Sequence, residues 1–191
     1  ERLSRARHHL VVRPDGLATG IHEARKDLKR FRALARLVRG ELPRGAYRRA
    51  NGMARDAARE LSGVRDATAL LETADALDDA FGPTVREPVT GPLRAQLEAQ
   101  RERIDDAELE RGVHAAIERL DLLLERELPS WSVRRKKEEF WVEGFTRTYQ
   151  RAREALAAAR DRRTTEALHE WRKRAKYHRY HLRLLRPVWR R

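Results

Sequence analysis

The chain has 191 residues, enough for one compact domain or two small similar halves with a sizeable core. Hydrophobic residues make up 40% and charged residues 38%, and a net charge of +13 gathers anions around the molecule without choosing among them. With no cysteine, disulfides, zinc ribbons and thiol catalysis are excluded, and no apolar run approaches the roughly 20 residues that cross a bilayer.

The opening residues, Glu1-Arg2-Leu3-Ser4-Arg5, lack the apolar stretch of a secretory signal, so a cytoplasmic location is expected. They also lack an initiator Met, which suggests a fragment or processed form. A short first helix is expected before Pro14-Asp15-Gly16, then a long one over 17–39. The Gly40–Gly45 stretch, with Pro43 inside it, opens a helix over 46–62. Ser62-Gly63 marks a weak break before 65–81. Gly82–Pro92, with three prolines and two glycines, reads as the clearest linker. Helices over 93–104 and 106–127 follow, then Pro129-Ser130 and a turn containing Trp131. The last two helices are expected over 136–160 and 165–186. Apolar residues recur at helical spacing and no alternating strand stands out, so the expected fold class is all-α, built of helical bundles. The breaks divide a single domain, 1–191, into a first half over 1–81, a linker over 82–92 and a second half over 93–191.

Charge is placed unevenly. Residues 93–128 hold ten acidic and six basic side chains, whereas 160–191 hold twelve basic and three acidic. Of the 43 basic residues only six are Lys, at 26, 29, 136, 137, 173 and 176. Four of those six fall at matching places in an internal repeat. Residues 21–39 align without a gap on 168–186, with identities at His22/His169, Glu23/Glu170, Arg25/Arg172, Lys26/Lys173, Lys29/Lys176, Arg32/Arg179, Arg36/Arg183, Leu37/Leu184 and Arg39/Arg186.

At about 100° per residue, Arg25, Lys26, Lys29, Arg32 and Arg36 all fall within about 80° of His22. Ala24, Leu28, Phe31, Ala35 and Val38 fall opposite. In the second copy His169, Arg172, Lys173, Lys176, Arg179 and Arg183 form one stripe, with Tyr180 inside it, and Trp171, Ala175, Leu182 and Leu185 form the other. Each helix therefore buries one face and presents a cationic ridge about 15–20 Å long. Like charges three and four residues apart each destabilise a helix by a few tenths of a kcal/mol, and Glu23 and Glu170, at the margins, are too few to neutralise the row. A bound anion relieves the repulsion: Arg offers forked donors to phosphate oxygens, Lys a mobile point charge, His a tunable donor. Arg48, Arg55 and Arg59 form a further stripe on the following helix, facing either the same ligand or bulk water. Solvated Arg-rich faces are the plainer account of part of this pattern.

His178 takes the place of Phe31 on the apolar face, which favours a core or inter-helix role. His178/His181 and His8-His9 have metal-compatible spacing but no third ligand evident, so no metal is expected. Trp131, Phe140, Trp141 and Phe145 are expected between helices, and Trp141, Phe145, Ala152, Leu156 and Ala159 share one narrow face of the same helix, as a core stripe does.

These residues carry a resemblance. His22-Glu23-Ala24-Arg25-Lys26 through Lys29 to Arg32, its second copy from His169 through Lys176 to Arg179-Tyr180, and the Leu61-Ser62-Gly63-Val64-Arg65-Asp66 element together resemble the CHAD family of histidine-bearing helical domains. The resemblance covers most of the chain. It implies two helical halves related by a pseudo-twofold axis, with basic helices lining a central groove or pore that binds inorganic polyphosphate. It also implies association with triphosphatase or other polyphosphate-metabolising proteins and residence on cytoplasmic polyphosphate granules. Arg183 stands where family members often carry an acidic residue, and the second half is expected to lack its final helices.

The functional expectation is non-catalytic polyphosphate binding without a cofactor, in a chain that does not enter the membrane; sulfate or phosphate would occupy the same ridges in a crystal. Three alternatives stay open. Some non-specific nucleic acid binding is expected of any basic surface, but the ridges lack stacking aromatics apart from Tyr180. A phosphoanhydride hydrolase would need bound metal or a Gly-rich phosphate loop, and neither signature occurs. A scaffold or triphosphatase accessory domain could dock an acidic protein on the ridges, or the acidic middle helices could satisfy them within the fold.

Overall fold

The computed structural model describes residues 1–85, 90–102, 106–132 and 140–189, and all its regular elements are helical. In chain order they are α1 (Arg2–Val11), α2 (Leu17–Leu37), α3 (Ala46–Glu60), α4 (Gly63–Val85), α5 (Gly91–Glu102), α6 (Asp106–Leu122), α7 (Val142–Arg162) and α8 (Thr165–Trp189). α6 runs on into a π-helical turn, Leu123–Glu127, and a 3-10 turn, Leu128–Ser130.

The breakers act where the sequence places them, with two extensions. Gly16 and Gly45 take φ of +85° and +80°, a region open to glycine, at the turns that start α2 and α3. α8 opens with Thr164 Oγ1 accepting the Ala167 amide at 3.2 Å. α4 continues through Gly82 and Pro83 to Val85, so the expected linker is partly helical, and α5 restarts at Gly91 with Pro92 in its first turn. Residues 86–89 of that linker and 136–139 at the expected start of α7 lie outside the described residues, as do the side chains of Gly63–Asp66 in the Arg-Asp element.

The chain forms two compact units interleaved in sequence: Glu1–Leu28 with Met53–Leu122, and Lys29–Gly52 with Leu123–Arg191. The Gly82–Pro92 stretch therefore lies inside the first unit instead of dividing two halves. The reason is local: Asp78 of α4 accepts the Thr90 amide at 3.0 Å and the Thr90 hydroxyl at 2.7 Å, and Arg94 of α5 pairs with Asp75 of α4.

In the first unit, α1 is fastened to α6 by bidentate pairs, Arg7 to Asp121 and Arg13 to Glu110. Arg2 and Arg5 also reach the fully buried Asp27 carboxylate of α2, at 3.3 and 3.7 Å. Leu3, Ala6, Leu10, Ile21, Ala24 and Leu28 are buried, as the 3.6-residue pattern requires.

In the second unit, Leu37, Val38, Leu42, Ala46 and Leu185 form a core lined by Tyr47, Trp131, Trp141 and Phe145. Trp131 stacks on Phe31 at 5.9 Å, and Trp141 meets Phe145 edge-on. Phe140, expected between helices, is exposed, and it sits in the turn before α7. Gly144 lets α7 approach the end of α2: a Cβ there would overlap the Leu37 carbonyl oxygen.

His181 joins three helices of this unit. It is fully buried, with Nε2 2.9 Å from the Ala33 carbonyl oxygen of α2 and Nδ1 2.9 Å from Thr148 Oγ1 of α7. A carbonyl only accepts, so Nε2 carries the proton, and Nδ1 faces the Thr148 hydroxyl, which also lies within hydrogen-bond reach of the Phe145 carbonyl at 2.9 Å. Burial holds the imidazole down to about 4. His178, one turn earlier, is half-buried against the rings of Phe145 and Tyr149, at 4.6 and 5.5 Å, and burial lowers it too.

α2 and α8 match in sequence but not in surroundings. Leu34 is exposed where its counterpart His181 is buried, and Ala33 is buried where Tyr180 is half-exposed. The apolar stripe expected on α8 is rotated accordingly: Leu185 is buried, Trp171 and Ala175 are half-buried, and Leu182 is exposed.

Two outcomes follow for stability. Gly144→Ala should cost about 2–3 kcal/mol by chemical denaturation, whereas Gly52→Ala in α3, with no heavy atom within 4 Å of the added Cβ, should gain about 0.5–1 kcal/mol. Because His181 takes up a proton at about 4 when folded and near its ordinary 6.5 when unfolded, stability is full above pH 6.5 and drains as pH falls toward 4. Denaturation between pH 6.5 and 5 should show a slope of up to about 1.4 kcal/mol per pH unit, and His181→Gln should flatten it.

Candidate anion-binding ridges

The first copy of the repeat begins in the first unit. Lys26 Nζ lies 2.6 Å from Glu23 Oε1, and His22 Nε2 lies 3.9 Å from the same oxygen. The hydrogen bond from Lys26 holds the Glu23 carboxyl below its ordinary range. The second copy repeats the device in the second unit: Glu170 pairs with Lys173, and with Arg174 Nε at 2.6 Å. Its carboxyl is likewise lowered, chiefly by Lys173. The repeated Glu thus engages the Lys three residues later in each copy, a local relief of ridge repulsion.

Arg25 and Arg32 do something the helical wheel does not reveal. Arg25 Nη1 donates to the carbonyls of Ala58 and Leu61, at 2.8 and 2.9 Å, where the end of α3 leaves carbonyls without intrahelical partners. In the second unit, Arg32 Nε donates to Asn51 Oδ1 of α3 at 3.0 Å. Both expected anion ligands are therefore engaged in holding α3. Arg36 lies with its guanidinium 4.0 Å over the Tyr177 ring of α8, a cation–π contact that leaves its forked donors available at the ring edge.

On α8, His169, Arg172, Lys173, Lys176, Arg179 and Arg183 are exposed and Tyr180 is half-exposed. Among the described residues, Arg172, Lys176, Arg179 and Arg183 make no hydrogen bond or ion pair. Lys29, exposed on α2, belongs to the same unit.

The Arg48/Arg55/Arg59 stripe divides. Asp56 binds Arg55 at 2.8 Å and approaches Arg59 at 3.9 Å in the first unit. Arg48 belongs to the second unit, where it lines an open cavity of about 340 Å³ with Arg39, Leu42, Pro43, Arg44, Gly45 and Tyr47. In the sequence, 40–45 reads only as a helix breaker; Arg39 and Arg44 beside a Gly-Pro turn are the signal of this cavity. Arg39 lies 5.4 Å over the Tyr47 ring.

The acidic middle of the chain spends its charge elsewhere. Glu110 and Asp121 bind Arg13 and Arg7, while the buried Glu127 binds Arg49 at 2.9 and 3.1 Å. Among the described residues, no group of three His, Cys, Asp or Glu side chains could hold a metal ion, and no helix is long and apolar enough to cross a membrane.

A family model for the CHAD domain matches residues 1–191, the whole chain. The chain belongs to the CHAD domain family. No curated protein and no solved structure matches it. Within this CHAD domain the repeated stripe resolves into two sets of cations. Arg25 and Arg32 engage α3; Lys176 and Arg183 stand in solvent on α8, with His169 and Lys173 on the same side.

The division is measurable. Arg25→Ala should lower stability by about 1–3 kcal/mol by stranding the α3 carbonyls. Arg172→Ala, the matching change on α8, should leave the denaturation midpoint where it is.

Proposed function

We propose that this CHAD domain binds inorganic polyphosphate, without hydrolysing it, along the outer face of α8. The observation that carries the reading is the exposed row from His169 to Arg183. Lys176 and Arg183 in it have no ion-pair partner among the described residues, although the acidic residues of the middle helices are paired with other arginines. The row spans about 20 Å at 1.5 Å per residue, so a linear polyanion meets it over several turns. Lys173 and Lys176 supply point charges, Arg183 a forked donor, His169 and Tyr180 shorter donors. Lys29 and Arg36 of α2, in the same unit, add to the cationic surface in this reading. His22 and Lys26 offer a separate contact point in the first unit, and Arg48 another beside its cavity.

Polyphosphate needs only dense cations at adjustable spacing, and α8 supplies these with no stacking ring in the row apart from Tyr180. In this reading the protein works in the cytoplasm, on polyphosphate granules and beside polyphosphate-metabolising enzymes such as triphosphatases.

Titration with labelled long-chain polyphosphate at two salt concentrations, against RNA of matched phosphate concentration, tests the reading. The expected result is a preference for polyphosphate that weakens with salt and falls tenfold or more when Lys29, Lys173, Lys176 and Arg183 are changed together to Ala. Equal affinity for both polymers, untouched by the four changes, would mean that net charge alone does the binding. Release of phosphate from tripolyphosphate with magnesium, proportional to protein through repurification, would show an enzyme instead.

A further inference from the structure

Arg2, Arg5 and His9 lie three and four residues apart on one side of α1, and Gly20, Glu23 and Asp27 repeat that spacing on α2. The two sides meet in antiparallel register. At one end Arg2 and Arg5 reach the buried Asp27 carboxylate. At the other, Gly20 comes so near His9 that an added Cβ would fall 2.4 Å from the His9 carbonyl oxygen. Glu23 lies between. Its carboxyl, held below the ordinary range by the Lys26 hydrogen bond, is lowered further by His22 on its own helix and by His9 across the seam. His9, His22, Glu23 and Lys26 are all half-buried.

The second copy of the repeat is wired differently. Arg174 stands at the position of Asp27 and binds Glu170 together with Lys173. Lysine and arginine keep their charge between pH 6 and 8, whereas an imidazole changes charge there. Glu170 is thus neutralised at every pH in that range, and Glu23 has only Lys26 for the same purpose until its imidazoles take up protons. Other charges around the seam are already engaged. On the far side of α1, Glu110 and Asp121 of α6 bind Arg13 and Arg7. In α3, which Arg25 fastens to α2, Asp56 binds Arg55 and Glu60 binds Arg119. His8, beside His9 on α1, is exposed.

We infer that His9, His22 and Lys26 form a proton-gated phosphate site around Glu23, in which His9 is a ligand supplied from outside the repeat. With both imidazoles neutral, the four side chains carry no net charge and Lys26 is committed to Glu23. Once His9 and His22 are protonated they take over the carboxylate, and the Lys26 ammonium turns to phosphate oxygens with the remaining imidazole N–H groups beside it. Linkage gives the sign. A phosphate that binds the protonated cluster draws protons onto it, so affinity rises as pH falls, by up to about tenfold per pH unit for each proton taken up. The inference rests on the polyphosphate reading above and adds a proton-dependent contact in the first unit to the row on α8.

The probe is labelled long-chain polyphosphate, whose interior phosphates stay fully ionised between pH 6 and 8. It is titrated into the full chain with Lys29, Lys173, Lys176 and Arg183 changed to Ala, so that the α8 row no longer dominates. Affinity should be tenfold or more higher at pH 6 than at pH 8. His9→Gln should shrink that difference to threefold or less by weakening binding at pH 6, and His8→Gln should leave it intact. Glu23→Gln should open the gate from the other side, raising affinity at pH 8 to the value seen at pH 6, a gain that a damaged fold does not produce. Glu118→Gln, the same change at an exposed carboxylate of α6, should give no such gain. The proposal falls if His9→Gln keeps the full pH dependence, if Glu23→Gln leaves binding at pH 8 unchanged, or if the quadruple variant does not bind at pH 6. In that last case the α8 reading stands as long as the parent chain binds; a parent that does not bind sinks both.

Discussion

His181 sets the rotation of α8, and most of what the second unit presents to solvent follows from that rotation. An imidazole without contact with water must satisfy both nitrogens within the protein. Here the carbonyl of Ala33 and the hydroxyl of Thr148 do so from two different helices. With His181 pointing inward, Tyr177 meets Arg36 and Leu185 enters the core, while His169, Lys176 and Arg183 turn outward. A rotation of α8 by one residue would expose the histidine and bury cations without partners, a far costlier arrangement. The cationic row is thus held in place by a neutral residue on the other side of the helix.

The excess positive charge is handled by sorting. Some arginines are fixed structurally, as in the pairs to Asp121, Glu110 and Glu127 and the cap over the α3 carbonyls. The solvent-facing ion pairs among these contribute little each, but they consume acidic residues that could otherwise quench the ridge. The repeated Glu-Lys pairs within α2 and α8 relieve like-charge repulsion enough for a helix to form and leave the rest of the row to a ligand. Charge distribution of this kind supports anion capture better than the net charge does, because net charge draws every polyanion alike.

The repeat also shows how one sequence pattern can carry two uses. Arg25 and Arg172 occupy matching positions, yet among the described residues only Arg25 meets a helix terminus. A guanidinium serves as a helix cap or as an anion donor with the same forked hydrogens. Which use prevails depends on what lies opposite, and a repeat cannot encode that by itself.

The sequence by itself determined the helical class, most of the breaks, the buried face of α2 and the doubled His-Glu-x-Arg-Lys pattern. All of these are written in spacings of a few residues, where periodicity and turn chemistry act. It also placed His178 among the apolar side chains, because that position matches Phe31. Only the tertiary structure decided that Arg25 and Arg32 hold α3, that His181 is buried while Leu182 is not, and that Phe140 faces solvent. It also decided that the division at 82–92 falls within one unit. Each of those outcomes depends on partners far along the chain: Ala58 and Leu61 for Arg25, Ala33 and Thr148 for His181. A helical wheel fixes which residues share a side of a helix, but the direction that side faces is set by contacts between segments, where hydrogen-bond satisfaction and burial compete across the whole unit.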